Sequence, residues 1–123
     1  MDLVYESKKV EGQCERPKDA KKLFSGDEEL AKRLLARINA LKQAPTLKDI
    51  IVQPHYRFHK LLNKGRKNLE GYFAIDIKSH ANPWRLILRP LDKDNEPFVP
   101  CNIDEIAEIV ECVGIKEVSR HYE

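Results

Sequence analysis

Two short runs in the second half of the chain alternate apolar and polar residues, and they constrain the fold more than any other feature. In residues 71–77, Phe73, Ile75 and Ile77 fall on one side, with Tyr72 and Asp76 on the other. In residues 84–89, Trp84, Leu86 and Leu88 oppose Arg85 and Arg89. A period of two belongs to a half-buried strand. Asn82-Pro83 breaks the chain between the runs, so they predict an antiparallel pair, with residues 57–62 as an earlier strand. One face of that sheet must be covered by apolar partners. The other is left to Tyr72, Asp76, Arg85 and Arg89.

The cover comes from upstream. Leu30, Leu34, Ile38 and Leu41 recur at helical spacing over residues 27–43, and Ser25 to Glu28 has the S-x-x-E spacing of a capping box. Ala44-Pro45 ends this helix. Pro17 suits the first turn of a shorter helix over residues 17–23. Leu3-Val4-Tyr5 has the composition of a strand. Ile103, Ile106, Ala107 and Val110 are spaced for a late helix with Gly114 as its stop, and residues 115–122 are expected to add a last strand. The expectation is one α+β domain over residues 1–123, with an N-terminal strand and two helices packed on one face of a twisted antiparallel sheet.

Charge narrows the class of partner. Residues 1–67 hold sixteen Lys/Arg against nine Asp/Glu, and residues 68–123 hold six against eleven. The net charge of +2 therefore hides a basic first half, which favours a polyanionic partner. The densest segment, residues 55–67, carries Arg57, Lys60, Lys64, Arg66, Lys67 and two histidines without one acid. No apolar run approaches the roughly 18 residues of a membrane span, and the first ten residues lack a signal-peptide core. Three cysteines without a C-x-x-C pair fit a reducing compartment. The expectation is a cytoplasmic protein with no metal and no cofactor, since neither metal-ligand spacing nor a phosphate-binding glycine fingerprint occurs.

Metal-independent cleavage of RNA needs a base for the 2′-hydroxyl, cations for the phosphorane and an acid for the leaving oxygen. Arg85 is the candidate phosphate cation, because a guanidinium grips two phosphate oxygens at once. A plain surface arginine on a strand is the competing reading. His121 is the candidate general acid, against an unremarkable histidine near the chain end. Tyr122 is placed to stack on a base or orient the phosphate, or to pack at the sheet edge. Arg89 is a second cation. His59, Lys60, Lys64, Arg66 and Lys67 are candidates to track the RNA backbone, or else form a solvated basic loop. Tyr72 is a candidate stacking platform or a packing residue. The base stays open between His59, Glu70 and others.

Read in order, "RINALKQAPTLKDI", "RFHKL", "GRKNLEGYFAIDI", "PWRLILRP" and "EVSRHYE" resemble the successive segments of HigB-type toxins in the RelE/ParE superfamily. The resemblance implies a toxin of a type II toxin–antitoxin system, a ribosome-dependent mRNA endoribonuclease that inhibits translation. It implies Arg85 on the scissile phosphate, His121 as general acid, Tyr122 in support and the Lys60–Lys67 loop on RNA. The implied partners are the ribosome, messenger RNA and a helix-turn-helix antitoxin of the HigA type, in a higher-order hetero-oligomer. Two other functions remain open on such a scaffold: a ParE-like DNA gyrase inhibitor, or a non-catalytic RNA- or partner-binding module.

Overall fold

The computed structural model describes residues 1–62 and 68–122. Its elements run β1 (Asp2–Tyr5), α1 (Lys8–Glu15), α2 (Pro17–Leu23), α3 (Glu28–Gln43), α4 (Lys48–Ile51), a 3-10 turn (Pro54–Tyr56), β2 (His59–Lys60), β3 (Phe73–Asp76), β4 (Arg85–Leu91), α5 (Ile103–Ile106) and β5 (Cys112–Ser119). Together they form an α+β fold around a five-stranded sheet ordered β1-β5-β4-β3-β2. Strands β2 to β5 make an antiparallel meander. Strand β1 lies parallel to β5. The sheet is therefore mixed, where an antiparallel one was expected. Parallel pairing needs a long crossover, and nearly the whole chain separates β1 from β5.

The alternation places side chains as expected. Ile75, Ile77, Leu86, Leu88, Val113, Ile115 and Val118 form one core with Leu34, Ile38 and Leu41 of α3. Phe24 meets Trp84 edge to face, with centroids 4.9 Å apart. The other face holds a much smaller cluster of Leu61, Leu69, Tyr72, Ala74 and Ile87.

Several expectations are corrected in detail. Three helices precede α4, because residues 8–15 are helical too. Ser7 caps that segment at the amide of Val10, but Val10 and Cys14 are its only large apolar residues facing the core, too sparse a pattern to read as a stripe. Helix α3 is capped by Asp27, whose carboxylate accepts from the Leu30 amide at 3.1 Å. Ser25 and Gly26 adopt positive φ instead, turning the chain into that cap. The expected strand over residues 57–62 shrinks to His59–Lys60, because Arg57 sits in the left-handed region at φ 47°. Gly114 stops no helix. It lies inside β5 opposite Arg89, where an added Cβ would come within 3.3 Å of Leu91 Cδ1 and 3.6 Å of Arg89 Cγ.

Candidate functional site on the open sheet face

Strand register decides which charged residues share the uncovered face. Asp76 pairs with Arg85, Ala74 with His59 and Ile87, and Ile87 with Glu117. At one end of this face the charges are locked together. The Asp76 carboxylate, 2% exposed, receives Arg57 Nε at 3.0 Å and Arg85 Nε at 3.2 Å. The Asp76 carbonyl accepts from Arg37 Nε at 2.9 Å. Arg37 of α3 is thus buried, with its guanidinium 4.7 Å from the Tyr56 ring.

Arg85 is only 5% exposed. Its terminal nitrogens donate to the carbonyls of His80 and Trp84, both at 3.0 Å, and of Asn82, so it stitches the β3–β4 turn closed. Burial pushes its pKa down, against the opposing pull of Asp76. Its expected place on a scissile phosphate is therefore corrected. A guanidinium committed to a carboxylate and three carbonyls has no bidentate face left for a phosphate. A strand pattern tells which side a residue takes but not how deep it sits.

Further along the same face, half-buried cations lie against Tyr72, whose ring is itself only 8% exposed and so packs in place rather than offering the expected stacking platform. The Arg89 guanidinium lies 5.0 Å from the centroid of the Tyr72 ring, and the Lys116 ammonium lies 5.2 Å from it. Tyr72 Oη donates to Glu6 Oε2 at 2.9 Å, and Arg89 Nε lies 3.7 Å from the same oxygen. Tyr122 packs against the small apolar cluster that contains Tyr72, and its hydroxyl donates to Glu117. Desolvation, reinforced by the carboxylate each one faces, raises the pKa of Tyr72 and Tyr122 to about 12. Both phenols therefore stay donors through the neutral range. His59 belongs to this region by register. Its Nδ1 lies 2.6 Å from the Arg57 carbonyl, which can only accept, so Nδ1 carries the hydrogen. Nε2 keeps a free lone pair, buried and without a hydrogen-bond partner among the described residues.

The structure thus brings Tyr72, Arg89 and Tyr122 together, with His59 nearby by register. It separates the others. His121 is exposed and lines a cleft of about 520 Å³ with Leu23, Phe24, Trp84 and Arg120 on the helix-covered side. The expected pairing of Arg85 and His121 on one phosphate is not formed. Lys60 pairs with Phe73 and faces away from Tyr72, into clefts lined by Pro100 and Cys101. Lys64, Arg66 and Lys67 lie outside the described residues. Sequence reasoning missed Glu6, Lys116 and Glu117. Extending the alternation through the tail strand would have found one of the last two but not both, since neighbours 116 and 117 share a face only through the register shift opposite Ile87 and Leu88, and nothing local marks Glu6.

Among the described residues no group of three or more His, Cys, Asp or Glu side chains could hold a metal ion. Among the described residues no helix is long and apolar enough to cross a membrane. Comparison of the chain with protein-family models, with curated protein sequences and with solved structures gives no match.

Proposed function

We propose that this chain is a toxin of a type II toxin–antitoxin system on a RelE/ParE-like scaffold, working in the cytoplasm as a ribosome-dependent mRNA endoribonuclease. One observation carries the reading. The open sheet face carries the half-buried Tyr122 beside two cations, Arg89 and Lys116, which lie against the buried ring of Tyr72, and two carboxylates, Glu6 and Glu117. Aromatic rings alternating with cations suit single-stranded RNA, since every base has a face to stack and every phosphate a charge to meet. The acid-free segment 55–67 adds positive charge in sequence, which favours attraction for the RNA backbone. The order strand, helices, antiparallel meander and the motifs quoted above support the scaffold assignment.

In this reading Arg89 takes the phosphate role first expected of Arg85. Its guanidinium stabilises the charge that develops on the phosphorane. Lys116 adds a second positive charge. Glu117, holding the Tyr122 hydroxyl, is the candidate base. Tyr122 is the proton donor beside it. The chemistry proceeds without a metal. The ribosome delivers the messenger RNA, and a helix-turn-helix antitoxin covers the face when growth resumes.

The test maps transcript ends on translating ribosomes for wild-type protein and for Arg89→Ala. Cuts within translated codons are expected for wild type, and a loss of about 10²- to 10³-fold for the variant. Full cleavage by Arg89→Ala would remove the phosphate assignment. A second reading, a non-catalytic RNA-binding module, is favoured by the burial of Arg85. It predicts bound, uncut transcripts.

A further inference from the structure

Glu6 follows β1, and its amide donates to the Ile115 carbonyl at 2.9 Å, which extends the parallel pairing with β5 by one residue. Because Tyr5 pairs with Ile115 on the core side, the next side chain turns to the open face. There its carboxylate meets Tyr72 Oη at 2.9 Å and Arg89 Nε at 3.7 Å. Lys116 Nζ stands over the same tyrosine ring at 5.2 Å. Gly114, opposite Arg89 on β5, leaves the stem of that arginine room to cross toward Glu6.

A hydroxyl donor and a guanidinium on one carboxylate, with an ammonium over the adjoining ring and beyond ion-pair distance of that carboxylate, are groups a phosphodiester site uses. One component differs from a purely structural ion pair. Arg89 Nε is buried and makes no hydrogen bond among the described residues, although its partner carboxylate is only 3.7 Å away. The side chains of Arg89 and Glu6 are 31% and 28% exposed, so solvent and ligand can reach both. The carboxylate fills the position loosely, at hydrogen-bond distance from the tyrosine but not from the guanidinium.

We propose that Tyr72, Arg89 and Lys116 form a phosphate subsite for single-stranded RNA, and that the Glu6 carboxylate occupies it in the free protein as an internal anion which an RNA phosphate displaces. The inference rests on the RNA-directed reading above and adds a residue that weakens binding. An internal competitor lowers apparent affinity by the free energy of its own contacts, so removing it tightens binding. It also filters ligands. A lone anion must compete with a tethered carboxylate, whereas a polynucleotide brings stacking on the half-buried Tyr122 along with the phosphate.

The experiment measures the affinity of a short, fluorescently labelled oligouridylate for the full chain at low and moderate salt. Glu6→Gln keeps the size and removes the charge. Glu6→Ala also removes the hydrogen-bond acceptor. Both are expected to tighten binding by about two- to fivefold, the scale of a partly exposed ion pair, with the larger effect for Glu6→Ala. In an Arg89→Ala background the gain should vanish, because the two residues share one site. Unfolding midpoints recorded in parallel separate a binding effect from a change in stability. If wild type binds the oligomer and both Glu6 variants bind equally or more weakly, the internal-anion role is overturned while the RNA-directed reading stands. If the gain persists without Arg89, Glu6 acts only through net charge, and the subsite is overturned. If wild type and variants alike fail to bind at low salt, the RNA-directed reading itself falls.

Discussion

The two faces of the sheet are built from the same strands and hold opposite kinds of matter. On the covered face, residues from α1, α2, α3 and α4 close over Ile75, Ile77, Leu86, Leu88, Val113 and Ile115, each at most 1% exposed. On the open face the apolar cluster is five residues, and the space between is taken by ions and phenols. The hydrophobic effect is roughly proportional to area and indifferent to direction, so it supplies the fold from the first face. Polar contacts are directional, so the second face can hold groups in fixed relation to a ligand. Arg85 and Arg89 carry the contrast within one strand. Four residues apart on one side of β4, the former is sealed against Asp76 and the latter stays half-buried beside Tyr72. Position along the strand separates an internal strut from a candidate binding group.

The largest expected effect attacks that strut. Asp76→Ala removes the buried carboxylate shared by Arg57 and Arg85. Breaking a buried pair by deleting one partner costs about 3–5 kcal/mol, a large share of the stability of a domain this size. Denaturant unfolding should show the loss directly. A loss near zero would mean that the carbonyls of the β3–β4 turn alone hold Arg85. Leu34→Ala, on the covered face, is expected to cost about 2–5 kcal/mol through the cavity it leaves, and it should leave oligouridylate affinity unchanged once the protein is folded.

The next effect sharpens the contrast between the two arginines. Arg85→Ala should lower the unfolding midpoint by less than Asp76→Ala, because Asp76 keeps its pair with Arg57, but it still removes a buried charge partner and the contacts that close the β3–β4 turn. Arg89→Ala should shift it by less than about 1 kcal/mol, as expected for a partly exposed pair. Equal shifts would erase the distinction between strut and binding group. His121→Ala, in the cleft beside Trp84, should change neither stability nor cleavage by more than a small factor. A large loss of cleavage would return the acid role to His121.

How much of this was legible follows from what a sequence pattern encodes. The period of two in residues 71–77 and 84–89 assigned the faces of Phe73, Ile75, Asp76, Arg85 and Arg89 correctly, because pleating fixes side. The period of 3.6 found α3 and its buried stripe. Depth was not legible. Arg85 and Arg89 read alike, and only the turn carbonyls of His80, Asn82 and Trp84 with the Asp76 carboxylate draw the first inward. Long-range pairing was not legible either. The parallel match of β1 with β5 brings Glu6 to Tyr72 across 66 positions of chain, and no local signal announces such a contact. The tail held the last gap. Val118 turns to the helix-covered core and Tyr122 joins the opposite cluster, so neighbouring His121 and Tyr122 end in different surroundings despite their adjacency.

The smallest expected effect concerns alkaline pH and again compares the faces. Tyr72 and Tyr122 hold their protons to about pH 12 in the folded chain, against 10 for an unburied phenol, because burial and the facing carboxylates disfavour the phenolate. A raised folded-state pKa contributes stability that is fully present below the unfolded value and is lost as pH rises through the folded one. Stability should therefore fall between about pH 10 and 12. On the covered side, Tyr5 and Cys14 are shifted upward too and contribute to the same decline. The informative quantity is thus the difference between wild type and the double variant Tyr72→Phe, Tyr122→Phe, whose decline should be shallower because its open face no longer titrates. Urea unfolding across this range checks it. Superimposable pH profiles would mean that the two phenols exchange their carboxylate partners for water without cost, and that the open face is not held in the fixed geometry a binding site requires.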